Sequence, residues 1–78
     1  MKNRNLTKNI LATATDGMKQ DIESDAEYLT RVVGRKVGQS EVIQLLIAYV
    51  HPARREEVDP VALNAMIDRI NALALDRQ

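Results

Sequence analysis

Apolar residues recur with a helical period along most of the chain. Met18, Ile22, Ala26, Leu29 and Val33 follow one another at three- and four-residue spacing, while Lys19, Glu23, Glu27 and Thr30 fall outside that stripe. The pattern predicts an amphipathic helix with Asp16 as its cap. Ser24 and Glu27 also spell a capping box, but Met18 and Ile22 keep the register and favour the longer helix. Gly34 stands where a left-handed residue ends a helix, and residues 35–38 read as a turn. From Gln39 to Val50, apolar side chains cover well over half the helical circumference: Val42, Ile43, Leu45, Leu46, Ile47, Tyr49 and Val50. Such a helix is buried on several sides, and one neighbouring helix cannot cover it. His51-Pro52 closes it, because proline disfavours helix in the residue before it. Residues 52–59 form a charged connection with room for a helical turn. Asp59-Pro60 opens a third helix, with an aspartate cap and proline at the first position. Its stripe is Leu63, Met66, Ile67, Ile70, Leu73 and Ala74.

Upstream of these helices the period changes. Ile10, Ala12 and Ala14 alternate with Leu11, Thr13 and Thr15, which predicts a short strand. No second strand is apparent, so either it pairs with its own copy in another chain or it is not a strand. Residues 1–9 are polar and basic and read as a mobile arm. Three segments result: the arm 1–9, a strand-and-two-helix unit 10–51, and the connection and C-terminal helix 52–78.

Composition strengthens the expectation of a homodimer. A chain of 78 residues is one domain, and one this short buries only about 60% of its unfolded surface. It has no cysteine, so neither a disulfide nor a thiolate zinc site can support it, and its single histidine excludes a multi-histidine metal site. With no phenylalanine or tryptophan the core must be aliphatic. Oligomerisation is the remaining source of stability.

Charge adds direction. The net charge is zero, but residues 1–15 carry +3, residues 16–30 carry −4 and residues 31–40 carry +3. Basic segments flank an acidic one, a polarity suited to a directional electrostatic surface rather than to coating nucleic acid indiscriminately. No apolar run approaches the ~20 residues of a membrane span. The expectation is a cytoplasmic protein with no membrane partner. Asp21, Glu23, Asp25 and Glu27 point in different directions on a helix and do not form a metal site. His51 reads as a helix-end residue, Tyr28 and Tyr49 as core-edge residues, and residues 54–57 as a solvated turn. No nucleophile–base pair, phosphate-cradling glycine loop or carboxylate pair is present, so neither catalysis nor a cofactor is expected.

The central segment Gly34-Arg35-Lys36-Val37-Gly38-Gln39-Ser40-Glu41-Val42-Ile43 resembles the inter-helix turn of ribbon–helix–helix DNA-binding proteins of the Arc and MetJ type. In that family the turn often reads Gly-x-Ser-x-Ser-Glu-x-Ile. Ser40-Glu41-Val42-Ile43 matches the start of the second helix; Gly38 stands where the family's capping serine would be, within a longer turn. The resemblance covers residues 10–50. It implies a mainly α fold, a ribbon–helix–helix homodimer with one short intermolecular β-strand and two core helices, here followed by an additional C-terminal helix. It implies a sequence-specific double-stranded DNA-binding protein: a small transcriptional repressor, or a plasmid- or antitoxin-type regulator.

A two-stranded ribbon in the major groove presents outward side chains to base edges. Here those would be Leu11, Thr13 and Thr15, with Asn9 beside them. Lys2, Arg4 and Lys8 of the arm would add phosphate contacts. The second-helix N-terminus would form a second contact, with backbone N–H groups of Gly38, Gln39 and Ser40 facing a phosphate between Arg35 and Lys36. Two other readings compete. One is an all-helical dimeric interaction module; the other is an antitoxin that binds a toxin through residues 60–75.

Overall fold

A computed structural model describes residues 13–76. Among them the elements are α1 (Asp16–Val33), α2 (Gln39–Val50), a 3-10 segment (Pro52–Glu57) and α3 (Pro60–Asp76). The fold is mainly helical, and no strand occurs among the described residues. No helix among them is long and apolar enough to cross a membrane.

The chain enters α1 through Thr15, whose extended backbone (φ −70°, ψ 163°) sets the cap and whose Oγ1 accepts the Met18 N–H. This corrects two expectations. The cap is Thr15, with Asp16 inside the first turn where its charge favours the helix N-terminus. The expected strand is also absent where it can be seen: Thr13 is helical and Ala14 a bend. Alternation over so few residues is a weak preference, and the alanines fit a helix better than a strand. Residues 10–12 of that strand, and the arm 1–9, lie outside the described residues.

α1 runs unbroken, as the longer reading required. Gly34 ends it in the left-handed conformation (φ 84°), its N–H bonding to Thr30 O. Ala26 and Leu29 are buried, and Ile22 and Val33 pack against the core. Met18 departs from the expected stripe and is 57% exposed. Thr30 departs in the other direction, since it is half-buried and its Oγ1 both donates and accepts a hydrogen bond.

α2 is the centre of the molecule. Val42, Ile43, Leu45 and Ala48 are buried, and α1, α3 and the 3-10 segment all pack on it. The expectation that one helix could not cover α2 holds. The inference that the missing cover must come from a second chain does not follow, because the connection folds back as a 3-10 turn and α3 closes the remaining side. Arg55 reinforces that return. Its Nε and Nη2 donate to the carbonyls of Ala48 and Tyr49, two of the acceptors left unpaired at the end of α2.

α3 begins as its sequence predicts. Asp59 Oδ1 accepts the Val61 N–H, and the Leu63 N–H bonds to Asp59 O. Ala62, Leu63, Ala65 and Met66 join the core, whereas residues 71–76 are exposed. α3 is fixed to α1 by Arg69. Its guanidinium bonds to Asp25 and Ser24 and lies 4.6 Å from the centroid of the Tyr28 ring.

Candidate nucleic-acid interface

A hydroxyl anchors the inner side of the turn between α1 and α2. Thr30 Oγ1 donates to Ala26 O at 2.7 Å and accepts the Val37 N–H at 2.9 Å. Val37 is only 2% exposed, so its N–H has no access to bulk water and depends on this acceptor. Thr30→Val keeps the shape and removes the acceptor. It is expected to cost about 1–3 kcal/mol, the penalty for stranding a buried donor. Thermal denaturation checks this: Thr30→Val should melt at least several degrees below the parent chain, and Thr30→Ser close to it.

With Val37 anchored, the residues on either side of it turn outward. Lys36 and Gly38 are exposed, and Gln39 is half-buried. Gly38 is the cap of α2 in extended conformation and supplies no side-chain hydrogen bond. The first N–H groups of α2 therefore have neither an intrahelical acceptor nor a side-chain cap. At the head of α2, Gly38 and Gln39 line a groove of about 950 Å³. α1 contributes Glu23, Glu27 and Arg31 to its walls, and the turn and head of α2 contribute Lys36, Gly38 and Gln39. An anion approaching from the turn side meets Lys36 and the helix dipole, while one approaching from the other wall meets two glutamates.

Arg35, expected beside Lys36 on the same phosphate, is engaged elsewhere. Its Nη1 and Nη2 donate to both carboxylate oxygens of Glu41, at 2.9 and 2.6 Å, and Nη2 also reaches Asp59 Oδ2 at 2.9 Å. Bonding first to Glu41 and then to Asp59 pushes its pKa further above the guanidinium range. The bond from Arg35, followed by the Val61 N–H, holds Asp59 below the usual carboxylate range. A carboxylate depressed in the folded state contributes stability above its unfolded pKa of about 3.9 and loses it as pH falls through the folded value. Acid titration of unfolding should therefore show parent and Asp59→Asn diverging above about pH 4 and converging below it.

The remaining expected contacts are dispersed. Lys2, Arg4, Lys8, Asn9 and Leu11 lie outside the described residues. Thr13 is exposed, and Thr15 is occupied as the α1 cap. Thr15 sits at the far end of α1 from the turn, about 27 Å along an 18-residue helix. Ser40 lines a second hollow of about 350 Å³, which shares Gly38 with the groove, together with Glu41, Gln44, Glu57 and Asp59. One chain thus groups Lys36, Gly38 and Gln39, and adds Arg31, which sequence reasoning had not selected. Its signal was present: Arg31 lies in the last turn of α1, four residues after Glu27. Among the described residues no group of acidic or histidine side chains is arranged to hold a metal ion. The chain matches no protein-family model, no curated protein and no solved structure.

Proposed function

We propose that the protein is a homodimeric double-stranded DNA-binding protein of the ribbon–helix–helix kind, acting as a small transcriptional repressor or plasmid-type regulator. The observation that carries the reading is the α1–α2 turn. Thr30 fixes it so that Lys36 and the uncapped head of α2 share one open face with Arg31. That combination suits a backbone phosphate, which positions a protein on DNA without reading sequence. The basic arm would add phosphate contacts through Lys2, Arg4 and Lys8. Val32, Val50 and Val61 are apolar and more than half exposed, and they are available to a second copy.

The test is the salt dependence of binding to a duplex. Each phosphate contact contributes about −0.9 to the slope of log K against log salt. Lys36→Ala should weaken all duplexes alike and flatten the slope by about 2 in a dimer, one contact per chain. Arg31→Ala should do the same. Unchanged slopes in both variants would remove this face from the interface.

The all-helical interaction module is the second reading. It is favoured by the helical Thr13 and the capping Thr15, and by the exposed Leu73 and Leu75 on the last turns of α3. A toxin bound there would give an antitoxin. In that case the chain would form its complex through α3 and bind no duplex.

A further inference from the structure

Arg35 bridges three pieces of the molecule. It belongs to the turn after α1, it bonds to Glu41 in the first turn of α2, and it bonds to Asp59, the residue that caps α3. Its partners lie six and twenty-four residues away in the chain. We propose that Arg35 is a latch coupling the DNA-facing turn to the start of α3: a phosphate competes with Glu41 and Asp59 for the guanidinium, so DNA binding loosens the first turn of α3. The inference rests on the DNA-binding reading.

The chemistry of the exchange is balanced. A guanidinium fork accepts a phosphate or a carboxylate in the same two-point geometry, so one replaces the other without new strain. The side chain of Arg35 is 43% exposed, and those of Glu41 and Asp59 are 26% and 33% exposed, so an anion in solution can reach the cluster. Pairs this exposed are individually weak and are exchanged at low cost. Asp59 links the ion pair to secondary structure. One of its oxygens holds Arg35 and the other holds the Val61 N–H. When Arg35 leaves, the carboxylate loses the partner that orients it, and the cap of α3 loosens. Residues 60–75 thereby acquire a state that depends on DNA.

Coupling of this kind is reciprocal. If phosphate and Asp59 compete for Arg35, weakening the Asp59 bond must strengthen duplex binding. Asp59→Asn makes the change cleanly, because asparagine caps a helix as well as aspartate does but forms no ion pair. The full-length protein and a labelled duplex from the DNA upstream of its own coding sequence serve as probe. Asp59→Asn should bind that duplex about two- to five-fold more tightly, as release of one exposed pair allows. Hydrogen exchange at the Val61, Ala62 and Leu63 amides of the parent chain should quicken when the duplex is added. Binding with unchanged affinity in Asp59→Asn and unchanged exchange at these amides would overturn the latch and leave the DNA-binding reading standing. Absence of duplex binding by the parent chain would overturn both.

Discussion

Leu45→Ala is expected to remove most of the stability of the fold. Leu45 is fully buried at the centre of α2, within a cluster drawn from all three helices that includes Leu29, Val42, Ala48, Leu63 and Met66. Truncating a leucine in such a site loses the transfer energy of the removed carbons and leaves a cavity, together about 2–5 kcal/mol. The core of a chain this small supplies roughly 3–5 kcal/mol in all. Four of the ten residues in the cluster are alanines, and small side chains have little reach to close a new void. Urea denaturation should place the Leu45→Ala midpoint near zero denaturant, whereas Leu45→Met, which conserves volume, should cost less than about 1.5 kcal/mol. Leu75→Ala, at a site 67% exposed, should change little. A mild effect at Leu45 would mean that α2 is not the centre of the core.

Arg69→Ala is expected to be the most damaging change to a polar residue. Among the described residues, Arg69 carries the ion pair between α1 and α3. Its side chain is 20% exposed and that of Asp25 is 14% exposed, so water compensates poorly for the loss. The same guanidinium reaches Ser24 and covers the Tyr28 ring. Removing it strands a largely buried carboxylate, and a cost of about 2–4 kcal/mol follows from the lost charged bonds and the ring contact. Arg54 is the control. Its pair with Glu57 is three residues away on the exposed 3-10 segment, and Arg54→Ala should leave the melting temperature unchanged. A double-mutant cycle between Arg69→Ala and Asp25→Ala isolates the pair. Independent, additive effects would show that Arg69 acts through its contacts with Ser24 and Tyr28 and not through the ion pair.

The helix boundaries were legible because each rests on a local rule. Gly34 supplies the left-handed residue, Pro52 stops α2, and Asp59-Pro60 starts α3; none of these needs a distant partner. The overcrowded apolar surface of α2 correctly marked it as the central helix. What was not legible depends on tertiary placement. The charge of Arg35 was counted with its basic segment, but its partners come from the first turn of α2 and the cap of α3, which meet only after folding. Thr30 was assigned to the polar face of α1, where its real acceptor role, toward Val37, is set by the path of the turn. The strand expectation failed at 13–15 because two-residue alternation is satisfied equally by a helical threonine, a bend and a capping threonine in succession. The site suffered more than the fold for the same reason. Fold signals in this chain are local, whereas the pairing that decides which cations face outward is not.

In the proposed function two copies of the chain bind one duplex with sequence preference. It is tested most directly by anisotropy titration of a labelled duplex from DNA upstream of the coding sequence, against a scrambled duplex of equal length, with the mass of the complex measured alongside. A homodimeric DNA-binding protein gives saturable binding with two chains per site, a preference of at least about a thousandfold for the upstream duplex, and affinity that falls steeply between about 50 and 200 mM salt. Equal affinity for the two duplexes, or a complex containing a single chain, would contradict it.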